Sequence, residues 1–150
     1  MEQADVLRQG KKVNAAIWFI RAVTLVSGGF AIGYGVLTFL FGKELWGNGA
    51  AMTYDAALTV PYAPQSWGLV AMTLGALIIF SELKEARRAK TVFMGLQGIW
   101  CFIFASYFLI DCLSSGHPFG APGVLVYSFV GTIFLLCAML AWAWRDKSED

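Results

Sequence analysis

Four long apolar stretches constrain this chain more than any other feature. They run over residues 17–41, 65–83, 91–113 and 122–144. Each has about the ~20 apolar residues that an α-helix needs to cross ~30 Å of hydrocarbon. Backbone polar groups in lipid must be satisfied within the segment itself, which leaves the helix as the form for spans of this length. Composition agrees: 58% of the residues are hydrophobic and 14% charged, against ~45–50% and ~25% in ordinary soluble domains. The expected fold is an all-α integral membrane protein, a four-transmembrane-helix bundle forming one membrane domain over residues 1–150.

Charge sorting predicts the orientation. Arg8, Lys11, Lys12 and Arg21 precede or enter the first stretch, Lys84, Arg87, Arg88 and Lys90 lie between the second and third, and Arg145 and Lys147 follow the fourth. Among the basic residues only Lys43 falls in another connection. Short loops rich in Lys and Arg stay cytoplasmic. Both termini and the inner loop 84–90 are therefore expected inside, with outer loops at 42–64 and 114–121, in a bacterial cytoplasmic membrane. Trp18, Trp142 and Trp144 fall at one level and read as an inner aromatic belt. The first stretch exceeds the ~7–15 residues of a signal-peptide core and reads as a retained span. Arg21, one turn inside it, reads as a snorkelling side chain.

Small residues mark where helices approach. Lipid offers little hydrophobic drive between helices, so association relies on close backbone contact. Gly29-x-x-x-Gly33 is a literal GxxxG, and Ser27, Ala31 and Gly35 form a second stripe at the same spacing. Gly68, Ala71 and Gly75 make a small face on the second span, and Gly98 and Ala105 one on the third. Three partners fit the first-span faces: span two or span four of the same chain, or span one of another copy. The third span is aromatic, with Gln97 read as an interhelical hydrogen-bonding group.

The connections carry their own signals. Residues 48–58 favour a short surface helix, Pro61-Tyr-Ala-Pro64 an extended approach, and Ser66 an N-cap for span two. Trp67 is expected at the outer membrane boundary. The inner turn is helix-prone, extending the spans, and Lys84, Arg87, Arg88 and Lys90 suit contact with anionic lipid. Asp111 is the polar residue that topology leaves over. It sits near the outer interface and reads as hydrated or as a local cap with Ser114 and Ser115, an ion or proton role being the functional alternative.

Catalytic chemistry has no constellation to rest on. His117, the one histidine, lies in a Gly-His-Pro turn, and no P-loop or H-E-x-x-H occurs. Axial histidines for haem are lacking within the spans. Cys101 and Cys112 stand about 16 Å apart along a helix axis at ~1.5 Å per residue, too far for a disulfide. With Cys137 they read as packing residues. No cofactor or metal is expected, no nucleic-acid partner, and no enzymatic activity.

A long outer loop ending in Pro61-x-x-Pro64-Gln-Ser-Trp67-Gly68, a basic inner turn, short cytoplasmic ends and an aromatic third span with Ile99-Trp100 together resemble the small four-span membrane proteins of actinobacterial tailed phages. The resemblance implies a holin-like role in host lysis or prophage-mediated exclusion of other phages. Lateral helix association would serve the first, by homo-oligomerisation. The second needs a surface that contacts a phage or membrane component. A third reading, an accessory subunit of a larger membrane complex, would use the same faces to meet another membrane protein.

Overall fold

Apolar helices dominate the computed structural model, which describes residues 2–47, 55–116 and 118–146. Every regular element among them is helical: α1 (Glu2–Gly47), α2 (Asp55–Leu58), α3 (Gln65–Leu83), α4 (Arg87–Ser115) and α5 (Ala121–Asp146), with one 3₁₀ turn at Pro118–Gly120. Four segments are long and apolar enough to cross a membrane: Ile17–Gly42, Gln65–Leu83, Arg87–Ser115 and Ala121–Ala143.

The helix bounds depart from expectation at the connections. α1 continues beyond the apolar stretch at both ends, from Glu2 to Gly47. Once a span has nucleated a helix, each further residue adds a hydrogen bond for little entropy, and Glu2, Gln3, Leu7, Arg8 and Lys11 are good helix formers. The inner turn is not helical throughout; it breaks at Lys84–Ala86. There the Ala86 N–H donates to the Ser81 carbonyl at 2.9 Å and the Glu85 N–H to that of Glu82 at 3.1 Å. This is the paired bonding of a Schellman cap, with Glu85 at φ 54 in the left-handed position that glycine usually fills. α4 ends more conventionally, on Gly116 at φ 68.

The approach to α3 also differs. Residues 61–64 form a tight turn rather than an extended strand, with the Ser66 N–H donating to the Tyr62 carbonyl at 2.9 Å. Pro64, not Ser66, holds the N-cap position. Ser66 lies within the first turn, and its buried Oγ has no hydrogen-bond partner. Of the surface helix expected over 48–58, Asp55–Leu58 is helical; residues 48–54 and His117 lie outside the described residues.

Packing divides the bundle into two close pairs, α1 with α3 and α4 with α5. They are joined mainly along α3 and α4, while α1 and α5 scarcely touch. Glycine makes the first pair possible. A Cβ on Gly35 would stand 2.6 Å from the Gly68 carbonyl oxygen, and one on Gly68 2.6 Å from that of Gly35. Gly28 and Gly75 repeat the arrangement two turns away, at 3.1 and 2.7 Å to each other's carbonyl oxygens. Backbone cannot yield to such a Cβ as a flexible side chain can, so the helices approach this closely only without one. In the second pair Gly98 and Gly131 face each other likewise, each Cβ position 3.1 Å from the other's carbonyl oxygen.

Aromatic rings fill the centre between the pairs. Phe104 lies at their heart, 5.0 Å from Trp67, 5.4 Å from Trp100 and 4.7 Å from Tyr127 between ring centroids. Tyr34 on α1 reaches Tyr127 on α5 edge-on at 5.8 Å, spanning a gap that the helix backbones leave open. Edge-to-face and offset contacts at such distances are favourable beyond the area they bury. The outward surface is apolar instead of polar: Val26 is 72% exposed, Leu125 72% and Phe129 68%.

Candidate functional site

Three arrangements stand apart from ordinary packing: a charged cluster at the basic end, a polar clasp at the opposite end, and an uncovered small-residue face. The cluster centres on Glu82, in the last turn of α3 and buried. Its Oε1 meets Arg21 Nε of α1 at 3.0 Å and its Oε2 meets Lys90 Nζ of α4 at 2.8 Å. Arg21 Nη1 also lies 3.6 Å from the exposed Glu85. Arg21 is thus an ion-pair partner, not only a snorkelling side chain. Glu82 was not singled out from the sequence, because a glutamate beside Lys84, Glu85 and Arg87 looks like part of a solvated turn. Carboxylate burial arises from the long-range approach of α1 and the return of α4.

Lys84, by contrast, points elsewhere, its Nζ 5.7 Å from the centroid of the Phe80 ring. The four cations of the inner turn differ in position. Lys90 and Arg87, together with Arg21, line a cleft at the basic end whose remaining walls are Ile17, Ile20, Leu140 and Ala141; Lys84 and Arg88 do not line it.

At the opposite end Asp111 is buried on α4, and its Oδ1 accepts the Ala56 N–H of α2 at 2.9 Å. First-turn N–H groups lack partners within their own helix, and a carboxylate at a helix N-terminus supplies one. The local cap expected with Ser114 and Ser115 exists in another form. Both hydroxyls donate to the Asp111 backbone carbonyl, at 3.3 and 2.7 Å, not to its carboxylate. Trp67 completes the clasp: its Nε1–H donates to the Ala57 carbonyl at 2.9 Å. This indole, in the first turn of α3, is buried against the aromatic core, whereas Trp18 is 73% exposed.

Polar groups along the spans are mostly turned back on their own helices. Thr24 Oγ1 donates to the Ile20 carbonyl at 2.8 Å, Ser81 Oγ to Ile78 at 2.8 Å, Ser106 Oγ to Ile103 at 2.6 Å and Thr132 Oγ1 to Ser128 at 2.8 Å. Gln97 is buried, and its Oε1 has no hydrogen-bond partner. Among the described residues, no three of His, Cys, Asp and Glu gather as a metal ion would require.

The small-residue faces divide in a way their spacing did not reveal. Ala31, Gly35, Gly68, Ala71 and Gly75 are buried where α1 meets α3, with Ser27 half-buried beside them. Gly98 and Ala105 are buried on α4, Gly98 against Gly131 of α5. Gly28, one residue from the literal motif, carries the close approach to Gly75. Gly29 and Gly33 themselves are exposed, and a Cβ on either would meet nothing within 4 Å. The literal GxxxG therefore packs against neither span two nor span four of its own chain. No family model, curated protein or solved structure matches this chain.

Proposed function

We propose that the chain is an integral membrane protein, both termini cytoplasmic, that acts without catalysis through lateral association of copies, as a holin-like lysis protein would. Less than half of each span's apolar window is buried inside the chain. A soluble monomer rarely exposes so continuous an apolar surface, whereas lipid solvates it at no cost. Positive-inside sorting then orients the basic end to the cytoplasm.

The observation that carries the association reading is the exposed Gly29-x-x-x-Gly33 face. Two small stripes lie on α1, and the fold uses one, leaving the other available to a helix outside the bundle. The aromatic centre supports assembly in a second way. Phe104, Trp67, Trp100 and Tyr127 close the space between the helix pairs, so permeation would have to occur between copies rather than through one.

Inducible expression in a bacterium carrying a potential-sensitive dye tests this reading. Abrupt loss of potential after a lag is expected from the native chain, and its abolition from Gly29→Leu/Gly33→Leu at equal membrane abundance. Sustained growth and intact potential at high expression would overturn it. The pinned α2 segment favours one other role, a phage-exclusion protein whose outer surface recognises a membrane or phage component. A protected phage panel with undisturbed potential would favour that role.

A further inference from the structure

The cleft at the basic end joins charged and apolar walls between two helix pairs. It opens where α1 and α5 scarcely touch, walled by Arg21 of α1, Arg87 and Lys90 of α4, and the apolar Ile20, Leu140 and Ala141. Among the described residues the cleft lining holds three cations and no carboxylate, Glu82 and Glu85 standing outside it against Arg21 and Lys90. Glu82 gives one oxygen each to Arg21 and Lys90. A guanidinium carries five N–H donors and an ammonium three, so both side chains have donor capacity beyond those contacts. At about 100 Å³ the cavity is well below the ~300–1,000 Å³ that encloses a drug-sized ligand. It suits a headgroup whose remaining body lies outside.

We propose that this cleft binds the phosphate of an anionic phospholipid, whose acyl chains run down the gap between α1 and α5. The inference rests on the membrane reading of the chain and not on lysis. Arg21 lies one turn within the span Ile17–Gly42, the depth at which a headgroup phosphate meets the hydrocarbon boundary. The apolar wall favours a lipid over free phosphate, because a soluble anion gains nothing from Leu140 or Ile20. Basic pockets between helices at the cytoplasmic face are a recurrent way of holding such headgroups. Here the lipid would add to the sparse contact between α1 and α5.

The test uses the full chain, after carbonate extraction of expressing membranes has shown that it remains inserted; release at that step would remove the membrane reading itself. Native mass spectrometry in mild detergent then compares adducts with dioleoyl phosphatidylglycerol, dioleoyl phosphatidylcholine and inorganic phosphate. Preferential retention of phosphatidylglycerol is expected. Retention should fall about fivefold in Arg87→Gln, as for one cation at an anionic surface, and comparably in Ala141→Phe, which fills the cleft without altering charge. Arg88→Gln, outside the cleft, should bind as the native chain does. Equal retention of both lipids, or equal loss in Arg88→Gln and Arg87→Gln, would overturn the site. Competition by inorganic phosphate at lipid-like concentration would overturn the choice of ligand.

Discussion

Glu82 shows how much a single side chain can hold together at an end where three helices meet. Removing one partner from a buried ion pair costs about 3–5 kcal/mol, largely by stranding the other charge, whereas exposed pairs contribute only ~0–1 kcal/mol. The side chain of Lys90 is 13% exposed and that of Arg21 47%. Loss of stability should therefore rank Glu82→Ala above Lys90→Ala, and Lys90→Ala well above Arg21→Ala, in thermal unfolding of the purified protein in detergent. An Arg21→Ala variant as unstable as Glu82→Ala would contradict this ordering. Glycines allow a sharper contrast at the same scale. Gly35→Ala and Gly68→Ala drive a methyl into facing backbone and should cost roughly 1–3 kcal/mol as overpacking. Gly33→Ala enters open space and should leave the unfolding midpoint unchanged or raised. Sequence spacing marked all three as small packing positions. It could not tell them apart, since which side of α1 faces α3 depends on helix rotation that both stripes satisfy.

Elements, rather than residues, explain where the sequence was readable. The four long helices were legible because length and apolarity are read from each segment separately, and α3 begins and ends at the residues its apolar run implies. Connections were less legible because their structure depends on partners distant in sequence. Asp111 and Trp67 hold α2 against the bundle through hydrogen bonds to Ala56 and Ala57, and neither bond leaves a local pattern. Asp111→Ala should loosen α2 without unfolding the helix pairs, raising amide exchange and protease cleavage over residues 55–60. Asp111→Asn retains an acceptor and should behave nearly as the native chain. Equal protection in all three would show that the carboxylate does not secure α2. The turn after α3 hid for a related reason: Glu85 occupies a position that glycine normally advertises. Its left-handed conformation costs about 1–2 kcal/mol, while its contact with Arg21 is exposed. Glu85→Gly should therefore stabilise the protein in a denaturant or thermal series, by about 1 kcal/mol. A lower midpoint would instead assign the ion pair the larger effect.

At the scale of the molecule, the two helix pairs meet through rings more than through backbones. Trp67 and Trp100 lie 6.1 Å apart at 66° to one another, close enough for their indole transitions to couple. The protein consequently carries its own optical gauge of pair-to-pair docking. Near-ultraviolet circular dichroism should show an exciton contribution that Trp67→Phe abolishes and that fades if α1–α3 and α4–α5 separate while helicity at 222 nm persists. Lipids brominated along their acyl chains should quench Trp18 and Trp142 while sparing the buried couple. An assembly event that opens the bundle could then be distinguished, by its colour in polarised light, from one that merely brings closed bundles together.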